Sequence, residues 1–386
     1  MASNNMSPLD MGLESLRNGD AKNAFTHLNK AINEGCTDIN AFMGMALAAR
    51  ALSEYQPCLI AIEKCLKVDP ANLEALLLKA DALKGLGRRQ EATSFYFAAI
   101  NAASQIKNLS PIMRQEINRA QMECQESSKI YEEFLREHIK KTGITDGKAH
   151  SRTDMALDIM FGRKQIYYQQ PLKFYFPELP QIQFYNKESF PWAESIESGF
   201  KAIKEELEHL LSNDDGFEPY VAGDSATPTL SNTDMMGNKD WTAFHLIKDG
   251  HRNEENIAKC PQTMKILQAA PIPKMSGKSP TILFSRLLPG AVIPPHTGLI
   301  NTRLICHLPL IVPSGCTLRV GNQERTWEEG ELLIFDDSIE HDARNNNSHN
   351  QRVILLFDIW RPELHEEERA MICTLFEAIE SYGNAN

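Results

Sequence analysis

Two histidines and an arginine in the last third of the chain have the types and spacing to hold a metal and an anion. His296 follows Pro294-Pro295 at the head of one apolar run. His341 follows Phe335-Asp336-Asp337-Ser338 at the end of another, 45 residues on. Arg352 opens the run Val353-Ile354-Leu355-Leu356-Phe357. A guanidinium at the mouth of so apolar a strand must find an anion or water, because burying it unpaired is prohibitive. Two imidazoles and one arginine can therefore build a site for a metal and an anionic co-substrate. Spacing alone leaves a second reading open: structural histidines, and an arginine whose stem lies on apolar surface while its head reaches water.

The elements that must position these groups are short strands. From residue 281 onward, the apolar runs Thr281–Leu288, Arg303–Val312, Thr317–Val320, Glu331–Phe335 and Val353–Trp360 alternate with turn signals. The breaks are Pro289-Gly290, Pro313-Ser314-Gly315, Gly321-Asn322 and Glu329-Gly330. Strands so closely spaced predict an antiparallel barrel or jelly roll. The Asn345–Asn350 run reads as a hairpin loop, and Glu363 to Tyr382 as a closing amphipathic helix.

The first third repeats itself. Gly12, Ala46 and Ala80 recur every 34 residues, as do Ala24, Cys58 and Ala92, then Leu28, Ile62 and Tyr96, then Ala31, Cys65 and Ala99. Small residues at fixed offsets let helices approach closely, and the large one fills the gap between pairs. This period and order resemble the tetratricopeptide repeat, an α-helical solenoid that binds peptides or protein segments. Gly35 and Gly87 stand where turns are expected, and Asp69-Pro70 closes the second unit. Ser110-Pro111 reads as an N-cap before a capping helix that carries Ile117, Ala120, Cys124, Tyr131, Phe134 and Leu135 on one face. Lys140 to Ser151 reads as linker. The expected division is a helical repeat domain over 7–140, a linker over 141–165 and a strand-rich domain over 166–386.

Composition bounds the partners. The 386 residues carry 40 Lys+Arg against 51 Asp+Glu, a formal net charge of −11, which disfavours nucleic acid. No apolar run approaches the ~20 residues of a membrane helix, and Met1-Ala2-Ser3-Asn4-Asn5 shows no secretory signal. Eight scattered cysteines without a C-x-x-C pair argue against a zinc ribbon or a dense disulfide framework. A reducing, cytoplasmic setting is expected. Gly85-Leu86-Gly87 lacks the third glycine of a dinucleotide fingerprint, and His365-Glu366-Glu367-Glu368 lacks the second histidine of a zinc-protease motif.

Longer motifs carry a family resemblance. They are Pro295-His296-Thr297-Gly298, Asn301-Thr302-Arg303-Leu304, Cys306-His307-Leu308, the run from Arg325-Thr326-Trp327-Glu328-Glu329-Gly330 to His341, and Asp358-Ile359-Trp360-Arg361-Pro362-Glu363-Leu364. Upstream stand Trp241, Gly250-His251-Arg252-Asn253-Glu254, Phe176-Pro177-Glu178-Leu179-Pro180 and Phe190-Pro191-Trp192. From about 170 to 365 these resemble, in collinear order, the catalytic domain of the aspartyl/asparaginyl β-hydroxylases, which are Fe(II)- and 2-oxoglutarate-dependent oxygenases using O2.

The resemblance implies a double-stranded β-helix (a jelly-roll or cupin-like domain with flanking helices) and hydroxylation of the β-carbon of an Asp or Asn in a polypeptide, with the repeats recruiting it. It makes His296 and His341 the iron ligands, with Gly298 where other non-haem sites have a carboxylate. A missing carboxylate is also found in iron-dependent halogenases, and bacterial relatives oxidise lipids or small molecules. Arg352 and Ser285 match the residues that hold the distal carboxylate of 2-oxoglutarate, and His307 one near its metal-bound end. Asp337 can steady the metal's water or an imidazole, or else form a turn with its neighbours. Ile305 stands where the animal enzymes have an arginine, leaving Arg303 to meet the substrate carboxylate. The family's charged substrate segment is not recognisable in Asp234-Met235-Met236-Gly237-Asn238. A non-catalytic, repeat-based adaptor is the competing class.

Overall fold

The computed structural model describes residues 6–212, 216–221 and 236–384. The calls on residues 1–5 and on Asp234 and Met235 lie outside the described residues. The chain divides into two units, Met1–Arg163 and Lys164–Asn386.

The first unit is helical. Its pairs are α1 (Pro8–Arg17) with α2 (Ala21–Asn33), α3 (Ile39–Ala51) with α4 (Tyr55–Val68), and α5 (Leu73–Gly85) with α6 (Arg89–Ser104). The second helices of the pairs begin at residues 21, 55 and 89, which is the 34-residue period of the sequence. Ala24, Cys58, Ala92, Leu28, Ile62, Tyr96, Ala31, Cys65 and Ala99 are all buried. A Cβ on Gly12 would run into the Leu28 side chain, so the small residue sets the approach of the first pair. These are tetratricopeptide-like repeats. The long helix α7 (Pro111–Lys140) starts as expected, Ser110 Oγ accepting from the Met113 N–H. Its buried face ends at Cys124, however, and Phe134 is more than half exposed.

The expected linker is largely helix. Residues 147–160 form α8 (Gly147–Met160), tied to α7 through Arg136 with Asp154 and through Arg163 with Glu132. The Lys-Gly-Thr composition marked the turn between two helices rather than the boundary of a unit.

The second unit is built on two sheets. After β1 (Phe184–Tyr185), α9 (Ala193–Ser198) and α10 (Phe200–Ser212) come β2 (Glu218–Pro219), β3 (Trp241–Lys248), β4 (His251–Arg252), α11 (Glu254–Lys259) and α12 (Pro261–Ile266). Then follow β5 (Ile282–Leu287), β6 (Val292–His296), β7 (Arg303–Ile311), β8 (Cys316–Val320) and β9 (Gln323–Thr326). The last elements are β10 (Leu333–Phe335), β11 (His341–Asn345), β12 (Arg352–Trp360) and α13 (Glu366–Asn384). The larger sheet runs β1-β10-β7-β12-β5-β3-β2, with β4 on β3, and the smaller runs β6-β11-β8-β9. The Asn345–Asn350 stretch is therefore no hairpin: β11 and β12 lie in different sheets, and Asn345 Nδ2 pins the corner to the carbonyls of Leu287, Leu288 and Asn350.

Parity along the central strands decides what faces what. Val353, Leu355, Phe357 and Ile359 share a core with Ile203, Leu207 and Leu210 of α10, as do Leu304, Cys306, Leu308, Ile282, Phe284, Phe244 and Leu246. Ile354, Leu356, Leu283, Ile305, Trp241 and Ala243 lie on the opposite face, packed with Ile293, Leu318, Val320 and Ala343 of the smaller sheet. Burial on both faces explains why β12 reads as one unbroken apolar run.

Candidate active site

The polar residues of this inner face converge on one cavity of about 490 Å³. Arg352 shares parity with Ile354, His307 and Arg303 with Ile305, and Ser285 with Leu283, so all four turn away from the α10 core. His296 ends β6 and His341 begins β11, and the two are paired directly across that ladder. Their rings stand 4.1 Å apart, centroid to centroid. Asp337, Gly298, Trp241 and His245 also line it, with Lys173, Lys248 and Asp249 among the remaining charged residues.

The two histidines are prepared as ligands. His296 Nδ1 lies 2.8 Å from the Pro294 carbonyl and His341 Nδ1 3.0 Å from that of Ile339. Each Nδ1–H donates to its carbonyl, which leaves the Nε2 lone pair free on each ring. Burial holds both imidazoles neutral: His296 below its ordinary value, and His341 down to about 3, where the neighbouring His296 adds to the effect. Neutral imidazoles are what a divalent metal needs.

Gly298, two residues after His296, leaves room for Asp337. A Cβ at 298 would collide with that carboxylate, and the Gly298 N–H donates to the Asp337 carbonyl at 2.7 Å. Burial lifts the Asp337 carboxyl to about 7, and its Oδ1 has no hydrogen-bond partner. Asp336 is the turn-former of the pair, accepting from the Ser338 N–H and hydroxyl. Among the described residues no group of three or more His, Cys, Asp or Glu is gathered as a metal set. The donors present, two neutral imidazoles with a carboxylate nearby, fit a metal that completes its sphere with water or a bidentate ligand.

Beyond the histidines lies an anion site. Arg352 is 1% exposed, and its Nε and Nη2 have no partner. Its guanidinium sits 5.0 Å from the centre of the Trp327 ring, and burial drags it down to about 10. Ser285 Oγ accepts from Trp241 Nε1 at 3.1 Å, which leaves its own hydrogen to donate elsewhere. His307 is kept neutral by burial and by Arg352, and its Nδ1 is also unpartnered. A buried guanidinium with two unused nitrogens calls for a carboxylate from outside the chain.

Arg303 is more committed than expected. Its Nη1 donates to Asp358 at 2.7 Å, to Ser279 Oγ and to the Lys278 carbonyl, while Nη2 stands 3.9 Å from Asp337. Only Nε is without a partner. The sequence assigned no role to Tyr220, stacked at 4.0 Å on Trp241, or to His245. The alternation Trp241-Ala243-His245, framed by Gly237-Asn238 and Asp249-Gly250, carried the signal for His245.

Known proteins resemble each of the two units. Residues 197–362 match the family model of the aspartyl/asparaginyl β-hydroxylases. The human aspartyl/asparaginyl β-hydroxylase is 33% identical over 249 residues, 61% of this chain and 32% of that protein. An ornithine lipid ester-linked acyl 2-hydroxylase of Rhizobium tropici is 35% identical over 196 residues, 50% of this chain and 66% of that one. The match thus spans about a third of the human enzyme's length. Among solved structures, the tetratricopeptide domain of Arabidopsis OM64 aligns with 29% of this chain and 90% of that one, at 19% identity and a TM-score of 0.25. The Sgt2 tetratricopeptide domain of Aspergillus fumigatus aligns with 32% and 80%, at 16% identity and a TM-score of 0.27. The strand-rich unit of this chain belongs to the aspartyl/asparaginyl β-hydroxylase family.

Proposed function

We propose that this chain is an Fe(II)- and 2-oxoglutarate-dependent oxygenase, built on a double-stranded β-helix, that hydroxylates the β-carbon of an Asp or Asn residue in a polypeptide delivered by its repeats. The observation that carries the reading is the pairing of two neutral imidazoles, one buried and one half-buried, with an unpartnered buried arginine in one cavity. His296 and His341 would hold the iron. Bound iron supplies the redox chemistry that couples O2 and 2-oxoglutarate to C–H hydroxylation, releasing CO2 and succinate.

The chain's own residues do the positioning. Arg352, with the Ser285 hydroxyl, receives the distal carboxylate, and Trp241 fixes the direction of that hydroxyl. His307, neutral and buried beside Arg352, lines the same end and is free to donate from Nδ1. Asp337 stands where a third protein ligand would otherwise enter and is placed to accept from water at that position. The Asp337 side chain also disfavours halogenation, because it fills the space beside Gly298 that a halide would need. Ile293, Ile305, Phe335, Ala343 and Leu356 give the cavity an apolar wall that disfavours water beside the reacting centre.

A second reading has one observation behind it: the Rhizobium tropici relative is named as a lipid acyl hydroxylase. Both are tested together. Purified chain with Fe(II), O2 and 2-oxoglutarate is offered a peptide library and a lipid extract, with succinate and +16 Da products followed by mass spectrometry. A peptide product supports the proposal and a hydroxylated acyl chain the second reading. Absence of succinate under every condition would return the chain to the adaptor class.

A further inference from the structure

The cavity has an outer end that the cosubstrate residues do not use. Lys173 and Lys248 line it where it opens and are exposed. Among the described residues neither has a carboxylate within ion-pair distance. Lys278 stands nearby: burial, then Lys173 and Arg303, hold its ammonium below its ordinary value, opposed by Glu380 and by Asp249, which also lines the cavity beside Lys248. Deeper on the same side is His245, whose Nδ1 is sealed from solvent and unpartnered. Burial and Lys248 push it down to about 4, so it is a neutral imidazole. A register shift follows directly after His245 in the ladder with β5, and it ends the strand alternation that turns the imidazole into the cavity. A buried ring nitrogen without a partner is costly unless a ligand completes it.

Resting on the hydroxylase reading, we infer that this outer end is a recognition subsite for acidic residues flanking the hydroxylated position of a polypeptide, with Lys173 and Lys248 drawing in the flanking carboxylates and His245 hydrogen-bonding the substrate behind them. A peptide suits the site better than an anionic bilayer. The formal charge of −11 sets the whole molecule against an extended negative surface, whereas a short segment within one Debye length, about 8–10 Å, feels mainly the local lysines.

The test uses the full chain and two labelled 20-residue peptides around a central Asp, one with Glu and one with Gln at the flanking positions. Binding is read by fluorescence anisotropy. The expected result is about tenfold tighter binding of the Glu peptide at low salt, a margin that shrinks in 0.5 M NaCl. The double variant Lys173→Gln/Lys248→Gln erases the margin. His245→Leu weakens both peptides by a similar factor, about five- to tenfold. Equal affinities, or a margin that survives the double variant, overturn the inference, as does preferential binding to phosphatidylglycerol vesicles. Unchanged affinity in His245→Leu removes His245 from the subsite. Succinate formation by the unaltered chain is measured in parallel, so loss of the peptide preference is distinguishable from failure of the oxygenase reading.

Discussion

Arg352 is buried with two nitrogens unbonded, and the neighbour that acts on it electrostatically is a thiol, Cys316, rather than a carboxylate. A charge left this way costs several kcal/mol and persists where a bound anion compensates it. Arg352→Ala should therefore raise the 2-oxoglutarate requirement at least tenfold, in line with the ~1.5–3 kcal/mol of a charge-assisted hydrogen bond. Equal activity at low cosubstrate would remove Arg352 from that role. His341→Ala should abolish succinate formation while the circular dichroism spectrum stays native, because the ring is held by one carbonyl and its removal breaks no ladder bond. At this scale the sequence was informative: His296, His307, His341, Ser285, Asp337 and Arg352 all line the cavity. Arg303 lines it too, but its ion pair with Asp358 spans 55 positions and left no local trace. His245 escaped notice because one histidine on one strand has no partner in sequence.

Strand parity is what turns these residues into a site, and a glycine is what gives the site its opening. Gly298→Ala should lower the thermal midpoint, since its methyl meets the Asp337 carboxylate in a packed turn, at a cost of about 1–3 kcal/mol. Gly298→Asp should bring a still larger loss and no gain in turnover, because the space for a third ligand already holds a carboxylate. Differential scanning fluorimetry and a succinate assay check both; an active, stable Gly298→Asp protein would show that Asp337 can swing away. The long strands β5, β7 and β12 were legible as apolar runs because they are buried on both faces. The strands β6 and β11, which carry the two histidines, were not. β6 contains two prolines, and β11 reads His-Asp-Ala-Arg-Asn, so neither shows an apolar pattern.

Across the whole molecule, the repeats were read from a period because helix pairs stack on like neighbours, so the same small residues recur. The end of the helical unit was misplaced for a related reason: α8 has no repeat partner and a polar composition, and it is held by ion pairs with α7, by buried Leu157 and by the contact of Phe161 with Tyr131. Acidity acts on the other unit. Half-buried His245 and buried His341 have folded values near 4 and 3, and His296 and His307 are also lowered. Free imidazole titrates near ~6.5, so at acid pH the unfolded chain binds more protons. The stability these groups contribute is complete above that value and is lost as pH falls towards 4 and 3. Asp337, raised to about 7, works in the opposite direction but is one group against four. The metal-free chain should therefore melt several degrees lower at pH 5 than at pH 7, and an unchanged midpoint would mean that these rings are hydrated.

The central claim, that two imidazoles and a buried arginine together take a metal and a keto diacid, is tested most directly by anaerobic calorimetry. Titration of 2-oxoglutarate into the chain should give one site per molecule when Fe(II) is present, no heat without metal, and no heat with metal in His341→Ala. Cosubstrate binding that ignores the metal, or that survives the loss of His341, would contradict the account.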